Sequence, residues 1–127
     1  MIQLESAHTL EEIEDALRGT ATRHGARVLS VRRLGDMLSE DARRTTHDAI
    51  SFTLAHPELY GALLAADIRF SAFLPCRIAA IRSGDRVVLE SLSPKHFCRH
   101  LNRPDLDRLA APLETMLHEL MEDVARA

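Results

Sequence analysis

The strongest structural signal in this sequence is Cys76-Arg-Ile-Ala-Ala-Ile-Arg-Ser-Gly-Asp-Arg-Val-Val-Leu-Glu-Ser-Leu92. Residues 76–82 and 86–92 are rich in β-branched and aliphatic side chains, and Ser83-Gly84-Asp85 between them has the composition of a tight turn. The pattern predicts a β-hairpin within an antiparallel sheet. An apolar loop, Phe70-Ser-Ala-Phe-Leu74, leads into the hairpin through Pro75.

Three more strands are predicted upstream of the hairpin, where apolar residues alternate with polar ones or β-branched residues cluster. They cover residues 1–6, 28–31 and 48–54. In the last of these segments Ile50, Phe52 and Leu54 point to one side. That side is expected to be buried.

Helix signals separate the strands. Thr9-Leu-Glu-Glu12 is a capping box that predicts a helix start, and Gly25 is suited to the left-handed conformation that ends it. His56-Pro57 and Ser93-Pro94 each place proline at a first helical position, where its missing N–H has no partner to lose. The polar residues 36–43 predict one or two further helical turns.

The last segment predicts an amphipathic C-terminal helix. Its apolar residues recur at helical spacing, at Leu106, Leu109, Leu113, Leu117, Leu120 and Val124. Pro112 cannot donate a backbone hydrogen bond, so a kink or a fresh helix start is expected near it.

Composition indicates a single domain over residues 1–127, since 46% apolar residues suffice for one core. The net charge of −3 is mixed along the chain, and its basic pairs, Arg32-Arg33 and Arg43-Arg44, are interpreted as solvated surface. No nucleic-acid partner is therefore expected.

No membrane partner is expected either. The sequence has no apolar run near the about 20 residues that span a bilayer, and its first residues do not resemble a signal peptide. We expect a cytoplasmic protein whose Cys76 and Cys98 are free thiols, because the cytosol keeps most cysteines reduced.

The order of these signals resembles the domain of unknown function 302 family. The likeness covers about residues 35–95 and is carried by Ile50-Ser-Phe-Thr-Leu54, His56-Pro57, Leu74-Pro75-Cys76, the glycine turn and Ser93-Pro94. Leu74-Pro75-Cys76 is its best marker. The chain departs from the family at His56, where the family usually has asparagine, and at Ser71, where it often has glycine.

The resemblance implies an α+β fold like that of the TATA-binding protein, with a curved antiparallel sheet and helices packed on one face. It also implies a homodimer. It implies no activity, and a fold shared with a DNA-binding protein is a poor basis for predicting DNA binding.

The candidate site is the edge of the sheet at His56 and Cys76. If the strands ending at Leu54 and starting at Cys76 are antiparallel neighbours, the two side chains lie at the same edge. In a binding hypothesis, Phe70 and Phe73 wall a pocket there and His56, Cys76 and Arg77 supply its polar groups. The pocket would take a small ligand, and His56 and Cys76 could also ligate haem or a transition metal.

Two other interpretations of this edge remain open. A neighbouring imidazolium lowers a thiol pKa, so Cys76 could be the nucleophile of a thiol enzyme or redox sensor with His56 as its base. Alternatively, Cys76 is a small buried residue at the start of a strand, because cysteine is among the most buried residue types.

A second candidate site is the helix that follows Ser93-Pro94. His96 and His100 share one face at about 100° per residue, whereas Cys98 points away. The two histidines could chelate a metal, although a third ligand must come from elsewhere. A solvated polar face is the simpler interpretation.

Overall fold

Five antiparallel strands form one sheet in the computed structural model, which describes residues 1–127. In chain order they are β1 (Ile2–Ser6), β2 (Arg27–Arg33), β3 (Ala49–Ala55), β4 (Arg77–Ser83) and β5 (Arg86–Ser91). Their order in space is β1-β5-β4-β3-β2, so β4 is the central strand. The hairpin predicted from residues 76–92 is therefore confirmed as the middle of the sheet.

The turn of this hairpin is tighter than its sequence indicated. Ser83 pairs with Arg86, which leaves a loop of two residues, Gly84 and Asp85. Gly84 has a φ of +63°, a conformation that residues other than glycine rarely adopt. A positive φ at the first loop position is what a two-residue hairpin requires in order to match the twist of its strands.

Five helices accompany the sheet, and they occupy the positions that the sequence predicted. They are α1 (Leu10–Arg23), α2 (Glu40–Thr45), α3 (Pro57–Ala66), α4 (Pro94–His100) and α5 (Asp107–Arg126). Short 3-10 turns lie at Leu34–Met37, Ile68–Ala72 and Pro104–Leu106. The segment expected to be helical at 36–43 is thus a 3-10 turn followed by α2, because Ser39 caps the N–H of Ala42 and restarts the helix.

The capping box at the start of α1 is confirmed. The N–H of Glu12 donates to the Thr9 hydroxyl at 3.1 Å, and the N–H of Thr9 donates to the Glu12 carboxylate at 2.9 Å. These bonds satisfy backbone donors that have no partner within a helix. At the other end Gly25 follows with a φ of +75°, as its sequence position indicated.

One face of the sheet forms the core. Ile50, Phe52 and Leu54 of β3 are at most 1% exposed, as their alternation predicted. Helices α1 and α5 cover this face with apolar side chains that are equally buried: Ile13, Leu17, Leu113, Leu117 and Leu120. Burial of this apolar area is the main favourable term in folding. The chain is therefore one α+β domain with helices packed against an antiparallel sheet.

The C-terminal helix is continuous, and its buried stripe differs from the predicted one at Leu109. Helix α5 runs from Asp107 to Arg126 without a fresh start, although Pro112 lies inside it. Pro112 has no N–H to donate to the carbonyl of Arg108, four residues earlier. Both residues are exposed, so water can satisfy that carbonyl. Leu109 is 38% exposed and does not belong to the buried stripe; Met116 and Met121 are buried instead. Neither α5 nor any other helix is long and apolar enough to cross a membrane.

We expect Leu117→Ala to lower the free energy of unfolding by about 2–5 kcal/mol, because it leaves a cavity in the core. Leu109→Ala, on the same helix, serves as the matched control and should cost no more than about 1 kcal/mol. Urea unfolding followed by circular dichroism measures both. Equal losses for the two variants would contradict the assignment of the buried face.

Candidate functional site

The predicted neighbours at the edge of the sheet are indeed adjacent. The N–H of Leu54 donates to the carbonyl of Cys76 at 2.9 Å, where β3 ends beside the start of β4. A third residue completes this arrangement: the Tyr60 hydroxyl donates to the Leu54 carbonyl at 2.6 Å and accepts the Cys76 N–H at 3.0 Å. Tyr60 lies on α3 and was not identified from sequence, because nothing in the local pattern marks its hydroxyl as a partner of two strands.

His56 is a capping residue rather than a partner of Cys76. Its Nδ1 accepts the N–H of Leu59 at 3.2 Å, which caps α3. Its Nε2 lies 3.2 Å from the carbonyl of His24. Since a carbonyl can only accept, Nε2 is the donor of this pair, while Nδ1 is the acceptor for Leu59. Both ring nitrogens are therefore occupied, and neither is available as a base or a metal ligand.

Gly25 makes room for this imidazole. A Cβ atom at position 25 would lie 2.9 Å from His56 Nε2, closer than such atoms approach. The ring therefore sits against the backbone that follows α1. The histidine fastens the end of α1 to the start of α3.

The Cys76 side chain is buried below the edge of the sheet and is not exposed there. Only 3% of its surface is exposed, and burial raises the pKa of its thiol to about 12, an effect that the Tyr60 hydroxyl opposes only in part. The thiol consequently stays protonated near neutral pH. Cys98 is fully buried as well, and burial followed by the charge of Asp107 raises its pKa. The structure thus lacks the exposed thiolate that the enzyme hypothesis requires.

The two aromatic residues of the apolar loop have different roles. Phe70 is fully buried, and its ring centroid lies 5.5 Å from that of Phe97 on α4. Phe73 is half-buried and stacks on the same Phe97 ring at 4.9 Å. Phe97 therefore anchors the loop, and of the two predicted aromatic residues only Phe73 faces open space.

The predicted site divides into two cavities that share Pro75. Phe73, Cys76 and Arg77 line a cavity of about 220 Å³, which we call the Arg77 cavity. His56 lines a separate groove of about 380 Å³ with Tyr60. The structure therefore brings together three of the five predicted residues and separates His56 and Phe70 from them.

Arg77 and Glu90 are the charged side chains that line this cavity, and neither has an ion-pair partner. Among the polar neighbours of Arg77, Glu90 accepts from the Gln3 amide at 2.7 Å, and the Ser91 hydroxyl donates to the Arg77 carbonyl at 2.8 Å. The Arg77 guanidinium makes no ion pair and no side-chain hydrogen bond. The remaining lining is mainly apolar: Met1, Ser51, Phe73, Pro75, Cys76, Ala79 and Leu92.

The second candidate site keeps its predicted geometry without gaining a third ligand. His96 and His100 are exposed on α4, while Cys98 points into the core. The N-terminal amine of Met1 lies 3.5 Å from His96 Nδ1, and the His100 ring lies 6.1 Å from that of Phe97. No group of three His, Cys, Asp or Glu side chains converges on one point.

We expect iodoacetamide to leave both cysteines of the folded protein unmodified at neutral pH, because both thiols are buried and protonated. Each thiol is followed alone, in Cys98→Ser for Cys76 and in Cys76→Ser for Cys98, by mass spectrometry against urea concentration. Modification should track global unfolding. Rapid modification of native Cys76 that His56→Ala abolishes would restore the enzyme hypothesis.

Comparisons with known proteins agree with the fold. A crystal structure of an uncharacterized conserved protein DUF302 from Bacillus stearothermophilus superposes with a TM-score of 0.88. It is 17% identical in sequence, and the match covers 96% of this chain and 95% of that one. At this identity the likeness shows a shared fold alone. A search of curated proteins gave no match.

The family comparison extends beyond the 35–95 region on which the resemblance was based. The model described as "Domain of unknown function DUF302" matches residues 2–124, from β1 to the last turns of α5. The match therefore includes all five strands and all five helices. The chain belongs to the domain of unknown function 302 family.

Proposed function

We propose that this protein is a cytoplasmic, homodimeric and non-catalytic binding protein that holds a small ligand in the Arg77 cavity. The observation that carries the proposal is the unpaired Arg77 guanidinium in a cavity whose other lining is mainly apolar. Specific small-molecule sites combine an apolar lining with a few convergent polar groups. The two free thiols, Cys76 and Cys98, support the proposed compartment.

The dimensions of the cavity define the class of ligand. Its volume of about 220 Å³ lies below the about 300–1,000 Å³ typical of sites for drug-sized molecules. A short apolar molecule with one anionic group fits, because Phe73 and Leu92 offer apolar surface while Arg77 can bind a carboxylate through two parallel hydrogen bonds. Haem fits poorly, since it is larger than a drug-sized ligand and no histidine lines the cavity.

The proposed dimer would cover the outer edge of β2. Leu29 is the extra residue of a β-bulge in that strand and is 50% exposed. It lines the largely apolar groove that also contains His56, Tyr60 and Leu74. An unpaired strand edge beside an apolar groove is a surface that proteins usually cover, and a second copy is a common way to do so.

We expect octanoate to shift the backbone amide signals of Phe73, Arg77 and Ala79 in a ¹⁵N NMR titration. Arg77→Gln should weaken octanoate binding by about tenfold, because it removes a charge-assisted pair, while 1-octanol binding changes little. Arg27→Gln is the matched control, since Arg27 is an exposed strand arginine that has no ion pair and lies outside the cavity.

Ala79→Phe should abolish the binding of both probes by filling the cavity. Three outcomes would refute the proposal: no shift with either probe, shifts confined to other surfaces, or equal losses for Arg77→Gln and Arg27→Gln.

For the dimer, we expect light scattering after size exclusion to give twice the chain mass across the micromolar range. Leu29→Lys should yield a monomer, because it places a charge on the proposed contact. Met37→Lys, which changes another exposed apolar residue at 65% exposure, should remain dimeric. A wild-type monomer at every concentration would contradict the dimer.

A further inference from the structure

Another cavity lies at the opposite end of β4 from Arg77. It has a volume of about 430 Å³ and is enclosed by the start of α1, the segment between β2 and β3, and the β4–β5 turn. A second cavity of about 350 Å³ adjoins it. Arg43, Asp48 and Arg82 line both, and we call the combined space the arginine cleft.

Two arginines of the cleft have no carboxylate partner. Arg33 pairs with Glu14 at 3.2 Å, and Arg86 approaches Glu5 at 3.9 Å. Arg43 and Arg82, by contrast, make no ion pair and no side-chain hydrogen bond. Because they have no partner in the protein, the guanidinium donors of Arg43 and Arg82 are free to bind an anion.

Contacts with neighbouring segments position both arginines. The Arg82 N–H donates to the carbonyl of Asp48 at 2.9 Å, which joins the end of β4 to the residue before β3. The Arg43 stem packs against Gly35, where an added Cβ would lie 3.7 Å from Arg43 Cγ. The 3-10 turn and α2 therefore fold back on each other and direct Arg43 to the cleft.

The cleft also contains hydrogen-bonding groups that the protein itself leaves unused. His47 lines it beside the arginines and makes no side-chain hydrogen bond. Four carboxylates line it as well and have no side-chain partner in the protein: those of Glu11, Asp36, Asp48 and Asp85. These residues are exposed, so water satisfies their carboxylates in the absence of a ligand, and a molecule bearing hydroxyl groups would replace that water with its own donors.

We propose that the arginine cleft binds a phosphate monoester of a small polyhydroxy molecule. Arg43 and Arg82 bind the phosphate oxygens, a group that the planar guanidinium matches with paired hydrogen bonds. The hydroxyl groups of the ligand donate to Asp36, Asp48 and Asp85. The cavity is twice the size of the Arg77 cavity, which suits a body larger than inorganic phosphate.

Isothermal titration calorimetry with glucose 6-phosphate, inorganic phosphate and glucose tests the proposal. We expect glucose 6-phosphate to bind at least about tenfold more tightly than inorganic phosphate, and glucose to give no measurable heat. Arg43→Gln and Arg82→Gln should each weaken glucose 6-phosphate binding by about tenfold or more. Arg43 is exposed on a short helix, so its variant keeps the test valid if Arg82→Gln fails to fold.

Arg44→Gln is the matched control. It changes the neighbouring arginine, which already pairs with Glu40 at 3.3 Å and does not line the cleft. Its affinity for glucose 6-phosphate should equal that of the wild type. Absence of binding, equal binding of inorganic phosphate, or an equal loss in Arg44→Gln would each overturn the proposal. Octanoate binding at Arg77 should be unchanged in all these variants, so the two sites are judged separately.

Discussion

The hydroxyl of Tyr60 is the interaction on which the edge of the sheet depends. It joins α3 to the end of β3 and to the residue before β4. The hydroxyl donates to the Leu54 carbonyl and accepts from the Cys76 N–H. A buried backbone group left without a partner costs about 1–3 kcal/mol, and here one side chain satisfies two such groups. Burial also raises the pKa of Tyr60, so the hydroxyl keeps its proton and remains a donor. The bridge also fixes the backbone of Cys76, which lines the Arg77 cavity.

The fold could be predicted largely because its signals act over a few residues. The alternation in 48–54, the capping box at Thr9 and the glycine at position 84 each satisfy a local requirement of backbone geometry or burial. Predictions failed where the structure depends on packing between segments that are distant in sequence. Periodicity placed Leu109 on the helical stripe, but it does not specify how far the buried face extends around α5. Pro112 is tolerated inside that helix because packing on both sides of it compensates for one lost bond.

The site was less predictable, because its contacts join distant parts of the chain. Strand pairing correctly placed His56 and Cys76 at one edge, yet the imidazole turns to the carbonyl of His24, 32 residues away. The stacking of Phe73 on Phe97 likewise has no signature in either segment. Sequence indicated which residue types gather at an edge of the sheet. Which of them remain unpaired, as Arg77 does, depends on partners that only the folded chain identifies.

The contact between His56 and Gly25 has a consequence for how this chain can diverge. A side chain at position 25 would collide with the ring and would also be strained by the positive φ, so two separate constraints favour glycine there. A smaller cap would remove the collision with the ring but would leave the strain of the positive φ. We therefore expect glycine to be kept after α1 whichever residue caps α3, whereas a bulky cap such as histidine is accepted only where that glycine is present. The helix cap of one element thus restricts the substitutions accepted at the end of another.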